Sequence, residues 1–373
     1  MRALPGGDQS ALRNLNTRRV LQLLYEGPPL TISAVAAQTG LSRPTAQDIL
    51  ASLTESRLLA PDGFDVMRTG GRPAQRYRFN ADAGFLAGVD IGAHAVSARV
   101  TTLDGALVAS ARTAIAGDMG AAERIDTAVD LVRRLVPADD RTLWAAGVGT
   151  PGIVDKRGVV RLSVALPHWS GVALAEEVAT RLNCPVEAVK DTGAAVLAEH
   201  RVGVARDVSD VLYVHVGHRL GVGLLVDGRP FVGRSGAAGE VGRHPAFGWH
   251  DAPYRLASDA GLPPGADDLH EWVFARARRS ESDAMAAVES FARTVAGGIG
   301  AMVLAVDPQL VVIGGGMARA ASAILEPVTR HLAAICYDVP PLVLSTLGED
   351  AVTIGAVETA RDQLRRRLFD VTP

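Results

Sequence analysis

Apolar residues at helical spacing (Val20, Leu23 and Leu24) predict a helix from Asn16 to Tyr25, which Gly27-Pro28-Pro29 stops. Thr31 is placed to cap a second short helix, with Ile32, Val35 and Ala36 on its buried side and Gly40 as the turn that follows. Ser42 then caps a third helix, whose first turn admits Pro44 because N–H groups there have no intrahelical partner. Ala46, Ile49, Leu50 and Leu53 form its apolar stripe at i, i+3, i+4 and i+7. Beyond it, Leu58-Leu59 and Gln75–Phe79 predict two short strands around a polar loop, with Arg76 and Arg78 alternating with Tyr77 and Phe79. Three helices and a two-stranded wing make a winged helix-turn-helix of residues 1–80.

The rest of the chain follows one plan twice. Leu86–Ala111 and Val211–Gly233 each read strand, glycine turn, strand, Asp-Gly turn, strand; Asp104-Gly105 and Asp227-Gly228 are strong hairpin signals. Helical periodicity follows over Ala121–Val136 in the first half and Ser282–Val306 in the second. Val172–Leu182, Thr192–Val202, Ala318–Cys336 and Val352–Leu368 are further predicted helices, the last folding back onto the first lobe. The expected body is a duplicated α/β structure of two lobes, 81–197 (with 352–373 returning to it) and 198–351, with a ligand cleft between them.

Composition narrows the class. Of 373 residues, 48% are hydrophobic and 21% charged, an ordinary globular balance. Lys156 and Lys190 are the only lysines. Cys184 and Cys336, the two cysteines, exclude a disulfide framework and a Cys₃ or Cys₄ zinc site within one chain. No leader-like segment and no run of eighteen apolar residues stands out, so the expectation is a cytoplasmic protein without a membrane partner. The net charge of −3 hides a division: residues 1–80 carry ten arginines against six acidic residues, +4, leaving −7 on the rest. A basic head on an acidic body points to a polyanionic partner for the head.

That partner is double-stranded DNA. Ser42, Arg43, Thr45 and Gln47 lie at the start of the third helix and are short or forked donors suited to base edges and phosphates of a major groove. Arg72, in the Arg68-Thr69-Gly70-Gly71-Arg72-Pro73 tip, is expected to enter a minor groove or meet phosphates.

The ordered motifs of the body resemble the ROK family of sugar kinases and transcriptional repressors. They are Val89-Asp90-Ile91-Gly92-Ala93, Gly149-Thr150-Pro151-Gly152, Leu166-Pro167-His168-Trp169-Ser170-Gly171, Lys190-Asp191, Gly236–Gly242 and Ile313-Gly314-Gly315-Gly316. With the Gly-Arg-Pro wing, the chain is similar to the repressor branch. The resemblance implies an actin/hexokinase-like (ribonuclease H-like) two-lobed fold. It also implies phosphate loops at Asp90 and Gly217, and the place of a catalytic base at Asp191.

Departures from the pattern argue against phosphoryl transfer. His94 stands where the family usually has Thr, and Gly217-His218-Arg219 replaces Gly-Thr-Gly, so a bulky Arg obstructs backbone approach to phosphate. Ala165 replaces an Asn of the sugar loop, and Lys190-Asp191-Thr192-Gly193 replaces Asn-Asp-x-Asn, with Lys190 placed to pair with Asp191. Glu240 remains as an acceptor for sugar hydroxyls. Arg243 displaces the following His by one place to His244, and the later Glu falls near Tyr254. The Cys-rich zinc run is missing from 245–259, and His215, His218, His244 and His250 lack helical ligand spacing. Asp191, Glu240 and His244 are thus the candidate ligand-binding residues, Asp191 a vestigial base, and no metal or cofactor is expected.

The leading expectation is a non-enzymatic regulator, a repressor of carbohydrate-related genes. It would bind a palindromic operator as a homodimer or dimer of dimers and respond to a sugar or sugar-phosphate effector. The alternatives are a sugar kinase with an attached DNA-binding head and a regulator with no sugar ligand.

Overall fold

A computed structural model describes residues 9–65, 73–261, 269–316 and 322–369. The head comprises α1 (Gln9–Glu26), β1 (Leu30–Thr31), α2 (Ile32–Thr39), α3 (Arg43–Glu55), β2 (Leu59–Asp65) and β3 (Ala74–Phe79). Helix α1 starts well before the predicted Asn16. Strand β2 runs further than Leu58-Leu59 predicts, because Pro61 and Gly63 hide its periodicity while a register shift between Pro61 and Phe64 absorbs them. Strand β1 was not anticipated; it adds to β3, opposite β2. The predicted caps are present: Thr31 Oγ1 accepts from Ala34 N, and Ser42 Oγ accepts from Thr45 N. Gly40 ends α2 in the left-handed region at φ 71°, and the whole Ala46, Ile49, Leu50, Leu53 stripe is buried.

The first lobe comprises β4 (Gly84–Ile91), β5 (Ala95–Thr102), β6 (Leu107–Ala114), α4 (Ala121–Leu135), β7 (Thr142–Thr150), β8 (Ile153–Val154), β9 (Val160–Leu162), α5 (Leu174–Leu182), β10 (Val186–Lys190) and α6 (Asp191–Val202). The second comprises β11 (Val211–Val216), β12 (Leu220–Val226), β13 (Arg229–Pro230), α7 (Ala252–Asp259), α8 (Leu269–Arg278), α9 (Ser282–Val306), β14 (Leu310–Gly314), α10 (Ser322–Ala333) and β15 (Leu342–Leu344). Helix α11 (Ala351–Phe369) is the last described element. Helix α10 ends at Ala333, before the predicted Cys336, and 318–321 of the predicted range lie outside the described residues.

The duplication is visible in the sheets. One has the order β10-β7-β4-β5-β6 and the other β15-β14-β11-β12-β13. In each, two antiparallel pairings follow two parallel ones. Period-two burial explains the layering. On β11, Leu212, Val214 and Val216 join the core under α9, while Val211 and Tyr213 face the core shared with α6. Helix α9 is apolar and long enough to cross a bilayer, but most of it is buried and one face lines the second-lobe core.

Helices α6 and α11 form a shared layer between the sheets. Their closeness depends on absent side chains: a Cβ at Gly147 of β7 would collide with the Ala356 carbonyl of α11, and a Cβ at Gly355 with the Ala194 carbonyl of α6. Helix α11 therefore packs on the sheet of the first lobe. It also reaches the head: Ala360 and Leu364 join one core with Val20, Leu24, Leu50, Leu53 and Phe79. Head and first lobe are one packed unit.

Candidate functional site

At the head, α3 presents Arg43 and Gln47 to solvent on one face, four residues apart. Thr45 is half-buried, and its hydroxyl lies 2.8 Å from Ser42 Oγ. Ser42 and Thr45 bond each other at the cap, while Arg43 and Gln47 are exposed forked donors. Arg72 lies outside the described residues. The basic excess of the head is partly neutralised locally: Arg76 and Arg78 lie 3.4 and 3.6 Å from Asp62, and Arg57 pairs with Asp140 of the first lobe at 2.9 Å. Arg19 donates to the last carbonyl of α2, Thr39 O, at 3.3 Å. Arg43 forms no ion pair among the described residues.

In the body, the motif residues converge on the ends of the parallel strands. Thr150, buried at the end of β7, donates to Ile91 O at 3.2 Å and accepts from the indole N–H of the fully buried Trp169 at 3.0 Å. That pair fixes the 163–171 loop against the turn that follows β4. Arg124, which sequence reasoning missed, is buried under this loop and gives all five N–H donors to carbonyls: Met119, Gly92, Ala93, Ala116 and Gly117, at 2.8–3.2 Å. Burial lowers its pKa below the usual guanidinium value, with Asp118 and Glu123 opposing. No sequence signal separates it from other helix arginines.

The cleft is crossed from both sides. Arg219, on the turn between β11 and β12, donates to Val164 O of the first lobe at 3.1 Å. His94 of the first lobe and His218 of the second face one another with ring centroids 6.3 Å apart. Below them, burial raises the Asp90 carboxyl to about 7, with Asp191 adding repulsion and Arg112 opposing. Burial holds the neighbouring His215 below the ordinary imidazole value; His218 works in the same direction and Asp191 opposes. Among the described residues, no three His, Cys, Asp or Glu side chains gather closely enough to hold a metal.

Asp191 opens α6, its Oδ1 accepting from Thr192 N at 2.7 Å. Lys190 does not meet it. The ammonium reaches across the lobes to Glu240 Oε1 at 2.5 Å and to Val222 O at 3.1 Å, while Thr192 Oγ1 donates to the same Val222 O at 2.8 Å. Side chains of Lys190 and Glu240 are 12% and 28% exposed, so Glu240 is engaged and shielded rather than open to a neutral hydroxyl. The cause is reach: four methylenes take the charge off β10 toward the second lobe. His244 is exposed and uses Nδ1 to accept from Ala246 N at 3.3 Å. No bond joins it to Asp191 or Glu240 among the described residues.

Residues 86–251 and 266–363 match the ROK family, and 16–63 match the IclR helix-turn-helix domain. A xylose repressor of Caldicellulosiruptor bescii is 27% identical over 251 residues, 66% of this chain and 62% of that protein. The chain thus spans under two thirds of that curated relative. A glucokinase of Thermotoga maritima is 26% identical over 75% of this chain and 98% of its own. The solved structure of a ROK family transcriptional regulator, a homologue of the E. coli MLC protein, superposes with a TM-score of 0.72 at 20% identity. It covers 96% of this chain and 98% of its own.

Proposed function

The chain belongs to the ROK family, and from that premise we propose that it is a soluble, DNA-binding repressor of carbohydrate-related genes whose kinase-like body senses an effector. The observation that carries this reading is the union of reading helix and body in one core through α11. The exposed Arg43 and Gln47 suit bidentate contacts to G and A in a major groove. A palindromic operator follows from a homodimer presenting two such helices. Likeness to xylose repressors supports the sugar-related assignment.

Helix α11 also supplies a route from cleft to head. Its first half lies against α6, which begins at Asp191, and its last turns hold the reading head. A ligand that changes how the lobes sit about Asp191 shifts α6 on α11 and therefore the head; a coupling of about 1–3 kcal/mol is ordinary for such a device.

Likeness to glucokinases and the place of Asp191 favour a second reading, a sugar kinase with a DNA-binding head. Against it stand Arg219 across the phosphate cleft and Glu240 paired to Lys190. Selection of sites from random duplex DNA, repeated with a sugar panel, tests the proposal. Recovery of a palindrome whose binding one sugar alters supports it. Recovery of no preferred site, with ATP-dependent phosphorylation of a hexose, gives the second reading instead.

A further inference from the structure

A cavity of about 430 Å³ lies between the lobes beside the cleft, within the roughly 300–1,000 Å³ of small-molecule sites. Asp191, Glu240 and His244 do not line it. Its walls come from the turn after β8, strand β10, the β12–β13 hairpin and α11. Contact between Val154 of the first lobe and Gly236 of the second, where a Cβ would strike the Val154 carbonyl, closes one side.

Three observations converge on this cavity. Both lysines of a chain that otherwise uses arginine, Lys156 and Lys190, line it. With Arg157 and Arg366 they make four cations against two lining carboxylates, Asp155 and Glu187. Lys190, Arg157 and Arg366 are paired with Glu240, Asp155 and Glu187, which leaves Lys156 as the unanswered charge among the described residues. Those carboxylates are already engaged, Asp155 by Arg161 at 2.5 Å and Glu187 by Arg366. Lys156 is exposed and has no carboxylate partner among the described residues. Finally, Gln363 of α11 lines the wall, and its buried Oε1 has no hydrogen-bond partner among the described residues. The rest of the wall is largely apolar, including Val154, Ala188, Val222 and Leu224.

We infer that this cavity is a second ligand site, for a small hydroxyl-bearing anion, either a sugar phosphate or a sugar acid. The anionic group sits between Lys156 and Lys190, and a hydroxyl donates to Gln363 Oε1. A neutral sugar leaves Lys156 unanswered, and inorganic phosphate leaves Gln363 and the apolar wall unused. Because Lys190 is also the partner of Glu240, the anion competes with Glu240 for one ammonium. Occupancy is therefore felt at the effector cleft and, through Gln363, on the helix that carries the head. This goes beyond the DNA-binding proposal and does not depend on it.

Calorimetric titration of the full chain with glucose 6-phosphate, gluconate, glucose and inorganic phosphate tests the site. Saturable binding of glucose 6-phosphate or gluconate is expected, with at least tenfold weaker binding of glucose and of inorganic phosphate; which of the two anions binds names the source. Lys156→Gln and Gln363→Leu should each weaken the anion at least fivefold with an unchanged melting temperature, and Glu240→Gln should tighten it by freeing Lys190. Asp191→Asn separates cavity from cleft: unchanged anion affinity supports the cavity, and lost affinity places the anion in the cleft and overturns the inference. Failure of both anions to bind, or binding indifferent to Lys156→Gln, also overturns it.

Discussion

Tyr25 of the reading head meets Phe369, the last described residue of α11, edge to face, with ring centroids 5.3 Å apart and planes at 67°. Phe79 of the wing approaches the same tyrosine at 4.7 Å, and Arg361 Nε donates to its hydroxyl at 3.4 Å. The head is therefore not strung on a linker. An aromatic trio and a shared aliphatic core join it to the helix that also packs against α6.

Leu364 lies at the centre of that junction, 2% exposed. Leu364→Ala should cost about 2–5 kcal/mol of the head–lobe docking. Differential scanning calorimetry should then resolve the head as a separate, earlier transition while the lobes keep theirs. A single unshifted transition would show that the junction contributes little.

Gly355 and Ala194 set the spacing of α11 and α6. Gly355→Ala places a methyl inside the Ala194 carbonyl, where only backbone can yield. A loss of about 1–3 kcal/mol or more is expected in urea unfolding. A neutral result would mean that the two helices separate freely.

Asp90 gives a pH signature. Its carboxyl is raised from an ordinary value of about 4 to about 7, chiefly by burial. The folded state therefore holds a proton that the unfolded chain releases between those values. This contribution to stability is complete below about pH 4, falls as pH rises, and is gone above about pH 7. Asp90→Asn should remove that slope, so the variant gains on the parent by about 2–3 kcal/mol between pH 5 and pH 8. Parallel stability curves for the two proteins would refute the assignment.

His218 and Arg219 replace the small residues of the loop that the family resemblance assigns to nucleotide phosphates. ATP with Mg²⁺ should give no thermal shift, and a coupled assay with glucose or xylose should show no turnover. Turnover that Asp191→Asn abolishes would identify Asp191 as a working base and favour the kinase reading.

The head and the duplicated body were legible because local rules sufficed there. Thr31 and Ser42 cap the helices beginning at Ile32 and Arg43, the Ala46–Leu53 stripe is buried, and Asp104-Gly105 and Asp227-Gly228 make their hairpins. What depended on distant partners was not legible. Lys190 stands next to Asp191 in sequence yet bonds Glu240 fifty residues away, because a strand-end side chain answers to the facing lobe. Arg124 looked like any charged position of an amphipathic helix, and only the loops folding over it supply five carbonyls. Ser42 was legible as a cap because that role is local; its expected contact with DNA concerns a partner and stays a proposal.

The central claim, that α3 reads DNA, is tested most directly by fluorescence anisotropy on a selected operator duplex with the parent chain and Arg43→Ala/Gln47→Ala. Both side chains are exposed, so melting should not change. Each lost bidentate contact should cost about 1–3 kcal/mol, which together amounts to a loss of at least tenfold in affinity. Operator binding that survives the double substitution undiminished would contradict the account.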